Sequence, residues 1–174
     1  RWWRSENSGS STVMPLQLNN GFATATFFEK VYRNESTGVI IPELSGKNLS
    51  QGKTATMKSS GNTVDASKTV DGDYNTMAEG TSGTGTTEWV VDLEEKSTLK
   101  GIQISWYLIK GSEPYYPYKV YGSQDGSSWT EIADHSGLPQ SNNTVDYGFA
   151  YTELKGNFRY VKLEILAAIP QNNL

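Results

Sequence analysis

The sequence predicts an all-β protein: an antiparallel β-sandwich preceded by an N-terminal β-rich tail. Helical periodicity is nearly absent, and the longest segments without Gly, Pro or Asn are short and alternate apolar with polar residues. Such alternation is typical of strands with one buried face. Clusters of Ser, Thr, Asn and Gly separate these segments, as in sandwiches and jelly rolls built from short strands joined by turns.

Composition narrows the classes of partner. The net charge of −4 and the pI of about 5.0 argue against nucleic acid or an anionic membrane as the main partner. The chain has no cysteine, which excludes disulfides and thiolate metal sites. Its apolar runs fall short of the about 18 residues that span a bilayer. We therefore expect neither a nucleic-acid nor a membrane partner.

The first 46 residues are interpreted as the tail of an upstream module plus a linker. They contain a predicted strand at residues 21–28 and an extended segment at residues 38–43. About 45 residues rarely bury a core alone, so this segment is expected to pack on the main domain or on a missing neighbour. The domain boundary is predicted near residues 45–47, which leaves residues 47–174 as the main domain.

The main domain contains several predicted strands in succession, at residues 48–56, 88–93, 100–106, 118–123, 129–132 and 159–165. Period-two alternation assigns one face of each to the core. Trp89, Trp106 and Trp129 are assigned to the core because they lie within these segments. The other predicted core residues are Ile102, Ile104, Tyr118, Val120, Val161, Leu163 and Ile165, and the last strand turns Tyr160, Lys162 and Glu164 away from it.

Residues 70–76 form a short oxygen-rich segment. Asp71 and Asp73 flank Gly72, and Asn75 and Thr76 follow at once. Carboxylate, carbonyl and hydroxyl oxygens in a tight turn are the ligands that Ca²⁺ prefers. The same residues also suit a metal-free Asx turn, in which Asp71 caps backbone amides. The segment alone leaves both interpretations open.

Three segments taken in order point to a known family. The oxygen-rich turn at residues 70–76, the apolar strand at residues 88–93 and the turn at residues 123–129 together resemble the factor V/VIII C-type, or discoidin-like, domain. Its bacterial members include the family 32 carbohydrate-binding modules. The resemblance covers residues 47–174 and implies a discoidin-like jelly roll that binds sugars.

The resemblance also implies a structural Ca²⁺ site. Its expected ligands are the carboxylate of Asp71, the carbonyls of Lys68 and Asp73, and the carbonyl and hydroxyl of Thr76. In the family, a further carbonyl and a glutamate come from the last strand, which is expected after residues 171–173. Because the sequence stops at Leu174, the site is expected to be incomplete and the domain to lack that strand.

Loop residues are the candidates for sugar binding. Sugar sites pair an exposed aromatic ring with a few polar side chains. The loop at residues 108–117 carries Lys110, Tyr115 and Tyr116, and the family places Tyr74 and Glu79 at the same end of the sandwich. Tyr115 or Tyr116 could equally cover an edge of the core. Where the family has an aromatic residue two positions after the threonine, this chain has Ala78. Either Met77 fills that space or the loop takes a different path.

Catalysis has little support in the sequence. His135 is the single histidine and is expected to be a solvent-exposed turn residue. The adjacent Asp134, His135 and Ser136 cannot form a nucleophilic triad, because those groups must converge from different elements. No segment predicts the cleft that paired glycosidase carboxylates require. The chain by itself is therefore not expected to be an enzyme.

The leading interpretation is a non-catalytic carbohydrate-binding module that targets a larger secreted glycoside hydrolase to polysaccharide. Its expected partners are a polysaccharide or oligosaccharide and an upstream catalytic module of the same polypeptide. The expected location is secreted or cell-surface, in a bacterium. Two alternatives stay open: an adhesion or protein-docking module, and a structural accessory domain that contributes to a neighbouring catalytic cleft.

Overall fold

The computed structural model describes residues 16–19, 22–25, 30–33, 40–43, 46–73, 76–80, 85–106, 116–137 and 149–169. The chain divides into two compact units, Arg1–Gly46 and Lys47–Leu174. The described residues of the first unit form two antiparallel pairs of short strands. In one, β1 (Leu16–Asn19) pairs with β2 (Phe22–Ala25), and in the other, β3 (Lys30–Arg33) pairs with β4 (Ile40–Glu43).

The second unit is built on a six-stranded sheet in the order β10-β9-β12-β7-β5-β6, in which every pair is antiparallel. A separate antiparallel pair joins β8 to β11. One short 3-10 turn, Ser67–Thr69, follows β6. The strands are β5 (Thr54–Ser59), β6 (Asn62–Val64), β7 (Thr87–Thr98), β8 (Gly101–Ser105), β9 (Tyr118–Ser123), β10 (Thr130–His135), β11 (Phe149–Glu153) and β12 (Asn157–Ile165).

The core lies on one face of the six-stranded sheet. Its most buried side chains, Val91, Tyr118 and Val120, come from β7 and β9. Ile102 and Ile104 of β8 pack against them, so the two sheets share one apolar layer. Alternation explains the choice of face, because successive side chains of a strand point to opposite sides. Val161 and Leu163 are buried, as the sequence predicts.

The first strand of the main domain begins later than the sequence predicts. Residues 48–53 form a turn, in which the Ser50 amide donates to Asn48 Oδ1 at 3.1 Å and the Lys53 amide donates to the Ser50 carbonyl at 3.1 Å. Strand β5 starts only at Thr54. Side-chain capping by Asn competes with strand pairing, and here it delays the strand.

Strand β10 lies at one edge of the six-stranded sheet. Its register with β9 shifts between Glu131 and Ala133, which marks a β-bulge. Lys119 of β9 forms ion pairs with Glu131 at 2.9 Å and with Asp134 at 3.0 Å. Charged side chains therefore flank this edge on both sides of the bulge. Among the described residues, no helix is long and apolar enough to cross a membrane.

Candidate functional site

The oxygen-rich turn at residues 70–76 is fixed to the sheet at its start. Trp89 of β7 donates its indole N–H to Thr69 Oγ1 at 2.7 Å, and the Gly52 amide donates to the Val70 carbonyl at 2.7 Å. The Val70 side chain is buried in the core. Gly72 has φ +79°, and a Cβ there would clash with the Gln51 side chain. The turn therefore needs glycine at its tip.

Four oxygen atoms converge at this turn. Thr76 Oγ1 lies 2.6 Å from Asp71 Oδ2, 3.0 Å from the Asp73 carbonyl oxygen and 3.5 Å from the Lys68 carbonyl oxygen. The Asp73 amide donates to Asp71 Oδ1 at 2.8 Å, which holds the carboxylate in place. The structure thus brings together all four residues that the resemblance assigns to a metal site. It also contains the Asx turn, so both interpretations of the sequence have a geometric basis.

Two carboxylates, those of Asp71 and Asp73, give the turn its negative charge, and the one that belongs to the oxygen group is that of Asp71. The Thr76 hydroxyl and the Asp73 amide both donate to its carboxylate, and they lower its pKa. Among the described residues, no cluster of three or more His, Cys, Asp or Glu could hold a metal ion. A cation at the four converging oxygens would meet the Asp71 carboxylate together with carbonyl and hydroxyl oxygens.

This donor set fits Ca²⁺ in chemistry and in spacing. Ca–O distances of about 2.3–2.6 Å put neighbouring ligand oxygens roughly 3 Å apart, which matches the spacing around Thr76 Oγ1. Ca²⁺ takes about six to eight oxygens, so the four present would need further ligands from water or from another segment.

The segment that follows the turn carries Glu79. Gly80 fits against Ser59 of β5 and Thr87 of β7, where a Cβ would lie 2.7 Å from Ser59 Oγ. The Ser59 and Thr87 hydroxyls are hydrogen-bonded to each other at 2.8 Å. This close approach holds the exposed Glu79 beside the paired ends of β5 and β7. Ala78 occupies the position where the resemblance implies an aromatic residue, and its side chain is half-buried. The preceding Met77 is 39% exposed.

A group of aromatic side chains, here called the ring cluster, joins β8, β9 and β10 through Trp106, Tyr116, Tyr118 and His135. Tyr116 stacks on Trp106 with ring centroids 4.6 Å apart and an interplanar angle of 11°. Trp106 contacts Tyr118 at 5.7 Å, and Tyr118 stacks on His135 at 4.8 Å. Trp106 packs against the core, as predicted, and also supports Tyr116. The rings form a continuous path from Tyr116 to the sheet edge.

Hydrogen bonds tie the ring cluster to the second sheet. The Tyr118 hydroxyl lies 2.7 Å from Thr152 Oγ1 of β11, and Thr152 Oγ1 lies 3.1 Å from His135 Nε2. His135 is exposed at the end of β10, where the sequence predicts a turn residue. Its contacts with Tyr118 and Thr152 give it a structural place that the sequence did not reveal.

A second aromatic group occupies the opposite face of the six-stranded sheet. This outer-face cluster consists of Tyr121, Trp129, Lys162 and Glu164. Lys162 Nζ lies 4.6 Å from the Tyr121 ring centroid and 5.0 Å from the Trp129 ring centroid, and Tyr121 donates its hydroxyl to Glu164 at 2.9 Å. The prediction that Trp129 lies in the core is therefore wrong. Trp129 shares the face of Glu131, a polar neighbour that could have signalled this.

The structure describes two of the five candidate sugar-binding residues. Glu79 lies beside the paired ends of β5 and β7, and Tyr116 stacks on Trp106. Tyr74, Lys110 and Tyr115 lie outside the described residues. The prediction that the domain lacks its last strand concerns the end of the chain, and residues 170–174 lie outside the described part.

Comparison with known proteins gives a match over most of the chain. A family model described as the F5/8 type C domain matches residues 51–174. A sequence search of curated proteins finds no match. Among solved structures, chitosan-binding module 1 of a chitosanase/glucanase from Paenibacillus sp. IK-5 is 20% identical, with 72% of this chain and 89% of that chain covered and a TM-score of 0.55.

Two further solved structures contain bound sugar. Chitosan-binding module 2 of the Paenibacillus sp. IK-5 enzyme, in complex with chitotriose, is 18% identical over 70% of this chain and 88% of that chain, with a TM-score of 0.55. The module CpGH89CBM32-5 from Clostridium perfringens, in complex with GalNAc-β-1,3-galactose, is 18% identical over 70% and 89%, with a TM-score of 0.56. These likenesses show a common fold and confirm the predicted antiparallel jelly roll.

Proposed function

Because this chain belongs to the F5/8 type C domain family through residues 51–174, we propose that it is a non-catalytic carbohydrate-binding module. Structural neighbours of the same fold are carbohydrate-binding modules, two of them with an oligosaccharide bound. The observation that carries the proposal within this chain is the stack of Tyr116 on Trp106. A half-buried tyrosine held by a second ring is a rigid surface for the apolar face of a sugar.

The proposed binding residues are Tyr74, Glu79, Lys110, Tyr115 and Tyr116. Aromatic rings would contact the C–H face of the sugar, while Glu79 and Lys110 would hydrogen-bond its hydroxyls. Of these, Glu79 is exposed and held close to the sheet by Gly80. Rigid support matters because a side chain fixed before binding loses less conformational entropy on binding.

The proposed role is targeting. Weak binding to a polysaccharide would keep a tethered catalytic module at a high effective concentration near its substrate. We therefore propose that the chain serves a secreted bacterial glycoside hydrolase whose catalytic module lies upstream in the same polypeptide. The module would itself supply attachment and no chemistry.

We also propose that the turn at residues 70–76 holds a structural Ca²⁺. The carboxylate of Asp71, the carbonyls of Lys68 and Asp73, and the carbonyl and hydroxyl of Thr76 would be its ligands. A bound cation would replace the hydrogen bond from Thr76 Oγ1 to Asp71, because both oxygens would then face the metal. The proposed effect is to stiffen the segment that leads to Glu79.

The test of the main proposal is a binding screen of the whole chain against plant, microbial and animal glycans, with Ca²⁺ and with chelator. We expect reproducible binding to one glycan class. A folded sample that binds none of the glycans would refute the proposal and favour a protein-docking role.

Variants then locate the site. Replacing Tyr115 and Tyr116 together by Ala should abolish glycan binding, with only a moderate loss of stability from the stack of Tyr116 on Trp106. The matched control is Tyr121→Ala in the outer-face cluster, which should lower stability and keep affinity. A large loss of stability in the double variant with binding retained would instead assign these tyrosines to the core.

Calcium is tested by thermal unfolding with and without added CaCl₂. A cation that binds only the folded state raises the melting temperature, and Asp71→Ala should remove that increase. Asp65→Ala is the control, because Asp65 also caps an amide, that of Ser67 at 2.9 Å, but lies outside the oxygen group. If chelation leaves the wild-type melting temperature unchanged, the turn is metal-free.

A further inference from the structure

Met77 is the one large apolar side chain that lies exposed in the described part of the chain. Isolated apolar residues are common on protein surfaces, so exposure alone does not mark a site. The backbone around Met77 is, however, anchored on both sides. Before it, Thr76 donates its hydroxyl to Asp71 Oδ2 at 2.6 Å. After it, Gly80 lies so close to Ser59 that a Cβ would be 2.7 Å from Ser59 Oγ. Met77 is therefore held at a defined place on the surface.

The segment at residues 76–79 contains no helix or turn, and half-buried residues alternate with exposed ones along it. Thr76 and Ala78 are half-buried, and Met77 and Glu79 are exposed. In an extended chain, residues two apart lie on the same side, about 6–7 Å from each other. Met77 and Glu79, here called the exposed pair, therefore lie side by side, and Ala78 points inward. Met77 thus does not fill the space in which the resemblance implies an aromatic residue.

The strand directions put the exposed pair at the same end of the sheet as Tyr116. Strands β7 and β9 both pair antiparallel with β12, so they run in the same direction. Thr87 at the start of β7 and Tyr118 at the start of β9 both lie opposite Ile165 of β12. The exposed pair precedes β7 and Tyr116 precedes β9, so both lie before strand starts that are level with each other.

The sheet order also gives the separation of the two places. Gly80, which anchors the exposed pair, fits against the paired ends of β5 and β7. Pro117, the residue after Tyr116, accepts a hydrogen bond at its carbonyl from the Leu166 amide just after β12, at 2.8 Å. The order β9-β12-β7-β5 and the usual strand spacing put the two anchors about 10–14 Å apart. A single sugar ring is too short to reach from one to the other.

We propose that the exposed pair is a second sugar subsite, separate from Tyr116, and that the ligand is an oligosaccharide long enough to contact both. This inference rests on the proposed carbohydrate-binding function, to which it adds Met77 and a requirement for length. The Met77 thioether packs on the apolar C–H face of one sugar unit, and the Glu79 carboxylate accepts from hydroxyls of that unit. Tyr116 contacts a unit further along the chain. Two contacts on one ligand reinforce each other, because the second forms within the complex.

The first test measures how affinity depends on ligand length. The full chain is titrated with chito-oligosaccharides and cello-oligosaccharides, from the monosaccharide to the hexasaccharide. In the series that binds, affinity should rise about fivefold to tenfold with length, as for at least one added contact. Met77→Gln, which makes the side chain polar, should remove most of this rise, and the apolar Met77→Leu should restore it. Met57→Leu is the matched control, because Met57 is buried in β5 and belongs to neither subsite.

The second test uses methionine oxidation to locate the ligand. Hydrogen peroxide transfers one oxygen atom to the thioether sulfur; its O–O bond breaks and water leaves. Exposed Met77 should react faster than Met57, which is 8% exposed and serves as the internal reference. A bound hexasaccharide should slow the oxidation of Met77 and leave that of Met57 unchanged, as measured by peptide mass spectrometry. The polar sulfoxide at Met77 should itself weaken hexasaccharide binding, as Met77→Gln does.

The outcomes separate the subsite from the function on which it rests. Affinity that is independent of length, or oxidation of Met77 that the bound hexasaccharide does not slow, overturns the subsite and leaves the carbohydrate-binding function intact. Absence of binding by both series also overturns the subsite, whatever the glycan screen detects. A negative glycan screen with folded protein overturns the function as well.

Discussion

The outer-face cluster and the ring cluster both contain tryptophan and tyrosine, but they differ in how completely their polar groups are paired. In the outer-face cluster, Lys162 lies between the rings of Tyr121 and Trp129 and 3.8 Å from Glu88, and the Tyr121 hydroxyl donates to Glu164. The Lys162 ammonium, the Tyr121 hydroxyl and the Glu164 carboxylate therefore all have partners within the sheet. In the ring cluster, the Trp106 indole N–H has none among the described residues.

The difference shows how aromatic residues can be sorted by role in a β-sandwich. Cation–π contacts and hydrogen bonds that close within a cluster add stability and leave little for a ligand. A cluster that keeps one buried donor unpaired gives up some stability. Stability should therefore depend mainly on the first cluster, and affinity on the second.

The largest expected effect follows from Trp129→Ala. Loss of a half-buried indole from the outer-face cluster should lower the free energy of unfolding by about 2 kcal/mol, less than for a fully buried aromatic. Glycan affinity should not change, because the ring lies on the opposite face from the ring cluster. Urea denaturation and glycan titration of one preparation measure both. A loss of affinity at unchanged stability would reverse the assignment of the two clusters.

A smaller effect is expected from Lys162→Ala, which empties the space between two rings. The Lys162 side chain is 17% exposed, and two partly desolvated cation–π contacts correspond to about 1–2 kcal/mol. Lys162→Arg is the control, since guanidinium also stacks on aromatic rings and should retain most of the stability. Equal losses in both variants would mean that packing of the lysine stem, not its charge, stabilises the sheet.

Tyr118→Phe tests whether the hydroxyl of the ring cluster is structural. It removes the buried bond to Thr152 Oγ1, with an expected loss of about 1 kcal/mol. Combination with Thr152→Val should cost less than the sum of the two single changes, because both remove one interaction. Strict additivity in urea denaturation would show that the two hydroxyls stabilise the protein independently.

The smallest effect concerns acid stability and an ion pair that belongs to neither cluster. Arg159 donates twice to Asp92, at 2.8 Å each, and lowers the pKa of Asp92 from 3.8 to about 2. A depressed pKa stabilises the folded state above about pH 4, and that contribution disappears as the pH falls toward about 2. Asp92→Asn should make the urea midpoint less dependent on pH in this interval. An unchanged slope would assign the acid sensitivity to other carboxylates, such as Asp134.

Period-two alternation was enough to predict most of the main domain. It assigned Val161 and Leu163 to the core and Lys162 to the opposite face, as the structure shows. The family and the jelly roll followed from the order of three short segments, and both are confirmed. Local sequence suffices here because each strand's two faces differ strongly in polarity.

The sites depend on contacts that no local pattern contains. Trp129 was misassigned because the cation that holds it on the outer face, Lys162, comes from β12, which is far away in sequence. The same holds for the stack of Tyr116 on Trp106, two rings that are ten residues apart in the sequence. The oxygen-rich turn at residues 70–76 was easier to recognise, because its donors lie within nine residues of one another. Its metal content stays a prediction.

The edge strand β10, with its bulge and its charged side chains, affects how closely copies of the domain can be arranged without associating. An open strand edge is a template on which a second molecule can add, and dense arrays of β-rich domains are prone to such self-association. Here a bulge interrupts the edge between Glu131 and Ala133, and Lys119, Glu131 and Asp134 place charges around it. Molecules concentrated on one surface could therefore crowd together and still remain separate.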